Sequence, residues 1–278
     1  MRILFSVLMA LSLCACNAQP AHKVPAIPAA AADTAILGDK AYNSATFGLS
    51  MRGRPDAAAP VTYKIPYGAP VAPVKPADPN EPPPSTGADT ITLDGMHTYW
   101  VKVTADNKTG YVVDAYVSDY APPPAAAAGI REWAAATGKP YGKSFYGKPR
   151  VQTLQQDGLS VFRQLYDNGA VYSEAQGHEY ICQTLQLPNT SILKVYNCIK
   201  LLKDFEDVFK ANTTLRRGHY KIPGKGADEG YDWNVEYEEG GGTSWIKSIS
   251  IGWSGGGYST LTIRAAETDV LVSYSTGV

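Results

Sequence analysis

The sequence predicts a mainly β protein with an α+β half, in which a small antiparallel barrel precedes a two-layer domain of antiparallel sheet packed on one long helix. Three observations predict it. Short alternating apolar runs broken by Gly, Pro and Asn fill residues 41–120 and return at 159–187 and 233–274. One segment, Ile192 to Phe209, instead repeats its apolar residues at intervals of three and four. Charged residues make up only 18% of the 278, beside 26 Gly and 20 Pro, a composition of turns and loops rather than long helices. The net charge of −1 leaves no field that would hold nucleic acid.

Met1-Arg2 and the apolar run Ile3 to Leu13 have the charged start and short hydrophobic core of an export signal over residues 1–15, too short to span a bilayer as a helix. The run ends in Leu13-Cys14-Ala15-Cys16, which resembles a bacterial lipoprotein box with Cys16 as the lipidated residue. Asn17 stands where a retention-type Asp would, so that resemblance implies an outer-membrane, periplasm-facing location in a host with two membranes. Acyl chains would hold the protein on the membrane, each buried methylene adding about 0.8 kcal/mol. Residues 16–40, with Pro20, Pro25, Pro28 and the run Ala29 to Ala32, cannot build a core and read as a flexible tether.

The first folded part is expected over 41–120. Leu49, Met51, Ile65, Val71, Trp100, Val101, Val103, Tyr111, Val113 and Val117 supply apolar positions at strand spacing, and Gly68 and Gly110 are the expected turn residues. Five prolines between Val74 and Ile91 cannot sit in a central strand, so 75–90 reads as an insertion. The runs Gly48-Leu49-Ser50-Met51-Arg52, Ile65-Pro66-Tyr67-Gly68-Ala69-Pro70-Val71, Tyr99-Trp100-Val101-Lys102-Val103 and Asn107 to Val113 resemble a bacterial Src homology 3 domain over about 44–120. The resemblance implies a binding module rather than an enzyme, with peptidoglycan, cell-wall peptide or an envelope protein as partner and aromatic rings lining its groove. Tyr67, Tyr99 and Tyr116 are the candidate ligand-binding residues, because rigid rings with polar edges stack on peptides and sugars. Trp100 and Tyr111 are assigned to the core.

Residues 121–129, with Pro122-Pro123-Pro124 and Ala125 to Ala128, read as a stiff linker. Within 130–278, Ile130 to Thr137 is a short helix stopped by Gly138 and Pro140, and Tyr141 to Pro149 is irregular. Ser160 to Tyr166 and Ala170 to Ser173 flank Asp167-Asn168-Gly169 as a hairpin. Tyr180 to Leu187 is a third strand, closed by Pro188. Asn189-Thr190-Ser191 caps the helix whose apolar face is Ile192, Val195, Tyr196, Ile199, Leu202, Phe205 and Phe209. Trp233 to Tyr237, Trp245 to Trp253, Tyr258 to Ala265 and Val270 to Tyr274 form a four-stranded meander that buries this face.

Cys182 and Cys198 lie sixteen positions apart, and the spacing leaves open a disulfide, which would contribute about 3 kcal/mol, or two buried free thiols. Neither cysteine is placed as a nucleophile, one being in a strand and the other in mid-helix. Of the four histidines, His22 is in the tether and His97 follows the insertion; His178-Glu179 and His219 could in principle meet as metal ligands, although adjacent strand residues point to opposite faces. Glu236 to Glu239 and Asp204 to Asp207 read as solvated faces. No catalytic residue, metal or cofactor is assigned. The expected function is noncatalytic binding of peptidoglycan or an envelope protein by a lipid-anchored chain. The alternatives are a periplasmic immunity or inhibitor protein acting on a wall-degrading toxin, and a peptidoglycan hydrolase.

Overall fold

The computed structural model describes residues 40–74, 90–94, 96–147, 160–224, 230–240, 243–254 and 257–277, all within one compact unit that spans 32–278. The leader, Cys16, the tether up to residue 39 and residues 75–89 of the insertion lie outside them. No helix among the described residues is long and apolar enough to cross a membrane. The fold is mainly β, built on two antiparallel sheets.

The first sheet holds β1 (Ala41–Asn43), β2 (Leu49–Arg52), β3 (Val61–Ile65), β4 (Pro70–Pro73), β5 (Thr90–Leu93), β6 (Met96–Ala105), β7 (Lys108–Val113) and β8 (Val117–Ser118). Its path is β3-β2-β7-β6-β4-β1-β8, with β5 on the outer half of β6. Ala41, Leu49, Met51, Ile65, Val71, Val103, Ala105, Val112 and Val117 form its core. Val112, and not its neighbours Tyr111 and Val113, is the inward residue of β7, because strand side chains alternate and Gly110 and Val112 share the buried face. Gly68 does turn, at φ +71°. Gly110 does not. It lies inside β7, where a Cβ would come 2.5 Å from Met51 Cγ and 2.7 Å from the Arg52 carbonyl, so glycine is required there by close approach. The turn into β7 is made by Asp106 and Asn107, both at positive φ as a two-residue hairpin demands.

The second sheet adds α1 (Ile130–Thr137), β9 (Pro140–Gly147), β10 (Ser160–Tyr166), β11 (Val171–Gln176), β12 (Tyr180–Pro188), α2 (Ile192–Ile199), α3 (Glu206–Ala211), β13 (Gly218–Pro223), β14 (Gly230–Gly240), β15 (Thr243–Ser254), β16 (Tyr258–Ala266) and β17 (Asp269–Gly277). Its nine strands run β13-β14-β15-β16-β17-β12-β11-β10-β9. Every second residue faces the helices: Leu185 and Leu187, Trp233 and Val235, Ile249 and Ile251, Leu261 and Ile263, Val270 and Val272 are all buried. The opposite face carries a transverse row of hydroxyls, Ser250, Thr262, Ser273, Thr184 and Ser173, in register across five strands. One face is thus dry and the other wet, the usual condition of an antiparallel sheet.

Two local expectations are corrected. The stretch after Pro140, expected to be irregular, pairs with β10 as the edge strand β9. The expected single helix is two. After α2 the amides of Leu201 and Leu202 reach back only to the Cys198 and Ile199 carbonyls, tightening the helix, and those of Lys203 and Asp204 bond to Ala127 and Ala128. The chain before α1 thereby takes donors that a continuous helix would have used internally. Phe205, at the end of the 3-10 turn Lys203–Phe205, and Phe209 of α3 still reach the core.

Those bonds also describe 121–129. Trp133 Nε1 donates to the Ala121 carbonyl at 3.0 Å, Tyr67 donates its hydroxyl to the Pro123 carbonyl, and Ala127 is buried. The Pro/Ala segment is fastened to the β3–β4 turn of the first sheet, to α1 and to the chain after α2 rather than free between the sheets.

Candidate functional site

Where the first sheet meets α2, side chains rather than the core strands determine the geometry. Lys194 is 1% exposed, with Nζ 3.4 Å from Asp114 Oδ1 and 3.6 Å from Asp119 Oδ2, two carboxylates of the segment that ends the first sheet. A buried ammonium is stable only when paired, so α2 is held against that segment by charge as well as by packing. Asn197 Nδ2 donates to the Ala115 carbonyl at 2.9 Å, Tyr120 donates its hydroxyl to the Pro188 carbonyl at 2.7 Å, and Lys200 pairs with Asp94. The Asp94 carbonyl in turn accepts from the Leu215 amide at 2.9 Å. Met96, at the start of β6, is buried in the core of the second sheet.

This junction leaves a cleft of about 280 Å³. Tyr99 of β6, Asp114, Ser191 at the start of α2, Tyr237 and Trp245 of the β14–β15 hairpin, and Glu267 of the β16–β17 turn are among its walls. Ser191 caps α2, its hydroxyl accepting from the Lys194 amide at 3.4 Å, so the capping expected of Asn189-Thr190-Ser191 falls to Ser191. Asn189 takes a positive φ and donates its amide to the Thr268 carbonyl at 2.9 Å, which fixes the acidic turn beside the helix start. Three aromatic rings and several carboxylates thus surround a space open to solvent. Such a lining suits a peptide carrying an amino group, since rings supply contact area and attract cations while carboxylates accept from the ammonium.

Of the candidate tyrosines, Tyr99 lines this cleft. Tyr67 is half-buried with its hydroxyl held by Pro123, and burial, then the nearby Cys198 thiol, pushes its pKa up. Tyr116 is half-buried against the first sheet's core, and burial followed by the Asp94 charge raises its pKa. The cleft contains neither of these two. Trp100 is buried as expected, whereas Tyr111 is partly exposed beneath the Lys102 ammonium.

A second, larger space of about 440 Å³ lies at one end of the second sheet, between the β11–β12 turn and the strands β15 to β17. Trp253, which stacks on Tyr274 with ring centres 6.0 Å apart, forms one wall. Its ionisable groups, His178 and Glu179, stand in solvent 3.8 Å from one another. The junction cleft is the better site, because the carboxylates of Glu267 and Asp269 stand in its wall beside rings carried by two sheets.

Cys182 and Cys198 are not joined in a disulfide. Cys198 points from α2 toward Ser118, Sγ to Oγ 3.9 Å, and burial pushes its thiol up to about 12, opposite to what a nucleophile needs. Cys182 is half-buried in β12. His178 and His219 do not meet, since four strands separate β13 from β12. His219 is bonded to Asp232 on the exposed β13 edge, and Glu236 accepts from the Ser248 hydroxyl at 3.0 Å. Glu206 is held below the usual carboxylate range by its hydrogen bond to Lys210. Among the described residues no group of three or more His, Cys, Asp or Glu side chains is arranged to hold a metal ion.

Sequence reading missed Lys194 with its two aspartates, and Tyr237 with Trp245. Nothing in the chain links Asp114 to a lysine 80 positions later. The aromatics carry the same alternation signal as core residues of a meander. No family model, curated protein or solved structure matches this chain.

Proposed function

We propose that this chain is a noncatalytic binding protein of the cell envelope, anchored through Cys16, and that its junction cleft receives a cell-wall peptide bearing a free amino group. The observation that carries the reading is the cleft itself, where Tyr99 of the segment resembling a bacterial Src homology 3 domain faces Tyr237, Trp245 and Glu267. The leader and the lipoprotein-like box at Cys16 support a location facing the wall. Its mechanism is localisation and recognition: the anchor sets the reach and the cleft provides the contact.

Cosedimentation of the soluble chain from Gln19 to Val278 with purified peptidoglycan sacculi tests it. Saturable binding is expected, weakened about tenfold by Trp245→Ala or Tyr99→Ala, as for aromatic anchors in other interfaces. Sacculi that leave the wild-type chain in the supernatant at every concentration would sink the reading.

A further inference from the structure

The two edges of the nine-stranded sheet are unlike. At one, β13 alternates half-buried and exposed residues, and its exposed side chains, His219, Lys221 and Pro223, include no large apolar group. At the other, β9 exposes Tyr141, Phe145 and Tyr146 at 64, 54 and 70%, and the adjoining Leu165 of β10 at 39%. Tyr141 lies opposite Leu165 and Phe145 opposite Arg163, with the register broken between these two pairs at a stretch that holds Gly142, at φ +70°, and Lys143; the two pairs place an apolar and cationic strip on the outer face. Tyr146 leans the other way, onto Phe162 at 4.8 Å between ring centres, and Phe162 continues to Tyr172 in the core. The edge is thus supported from within by a chain of rings. Its exposed charges are largely of one sign: Lys139, Lys143 and Arg163 stand along it, and Asp167 is already engaged with the Lys139 amide.

We propose that the outer edge of β9, which pairs with no strand among the described residues, is a strand-addition site for an extended segment of a protein partner in which acidic residues alternate with apolar ones. Backbone groups of the edge would pair with the incoming strand, its apolar side chains would cover Tyr141 and Phe145, and its carboxylates would meet Lys143 and Arg163. A second copy of β9 is a poorer occupant, because antiparallel self-pairing brings the same cations together. The site is separate from the junction cleft and does not depend on wall binding.

The test uses the soluble chain from Gln19 to Val278 and a fluorescent six-residue probe of alternating Val and Glu. The anisotropy is expected to rise saturably, and the affinity to fall at least about tenfold for the Lys143→Glu/Arg163→Glu variant, whose substitutions are on the surface and leave the thermal midpoint in place. A probe N-methylated at alternate backbone nitrogens is expected not to bind, which separates strand addition from a mere charged patch. Absent saturation with the Val-Glu probe, equal binding of a Val-Lys probe, or undiminished binding of the N-methylated probe would each overturn the proposal. Protection of the outward β9 amides in the free protein would overturn it too, by showing the edge already covered.

Discussion

At the scale of single residues, Lys194 is where charge holds the two sheets together. Lys194→Met keeps the side chain's length but removes the ammonium, leaving Asp114 and Asp119 without their shared cation. The expected loss is about 3–5 kcal/mol in urea denaturation, part of it recovered when Asp114→Asn is added. Gly110→Ala forces a methyl into Met51 and the Arg52 carbonyl, and the expected loss is about 1–3 kcal/mol. Gly68→Ala meets nothing within 4 Å and is strained only by its φ of +71°, so it is expected to cost about 1 kcal/mol. The contrast between these two variants separates close approach from turn geometry. Cys198, fully buried with its thiol pushed up to about 12, is expected to resist a thiol reagent that labels Cys182 in the native protein, both reacting after denaturation.

At the scale of elements, most strands were legible because their pattern is local. The four strands of the meander stand where alternation puts them, and the Asp167-Asn168-Gly169 hairpin follows from its turn, with the Asn168 side chain accepting from the Ala170 amide at 3.0 Å. The break between α2 and α3 was not legible, since the apolar spacing runs straight through it and the cause is a backbone segment some 75 residues earlier. β9 was hidden for another reason. Its glycines and exposed aromatics carry no alternation between buried and solvated, and pairing with β10 alone makes it a strand. Native-state hydrogen exchange checks the account of the break: the Asp204 amide, bonded to Ala128, is expected to exchange only with global unfolding, whereas a free 121–129 spacer would leave it fast.

At the scale of the whole molecule, burial sets the alkaline limit. Burial raises Tyr67, Tyr120, Tyr172 and Tyr196 above the usual 10.0, and raises Cys198 from 9.0 to about 12. The folded state keeps protons that the unfolded chain releases, so this stability is fully present below the unfolded values and is lost as pH rises through the folded ones. The urea midpoint is therefore expected to hold up to about pH 8.5 and to fall steadily above it. Because Lys194, Asn197, Lys200 and Tyr120 join the two sheets, both are expected to unfold in one transition, with near-ultraviolet dichroism and far-ultraviolet dichroism coinciding.

The function assigned to this joined unit rests on the junction cleft, whose composition was half visible in the sequence: Tyr99 through a family resemblance, Tyr237 and Trp245 only through the fold. The most direct measurement is a backbone NMR titration of the soluble chain with muropeptides released from sacculi. Shifts that saturate and cluster at Tyr99, Ser191, Trp245 and Glu267 are the predicted result. Shifts confined to other surfaces, or none at all, would contradict the assignment of the cleft as the wall-peptide site.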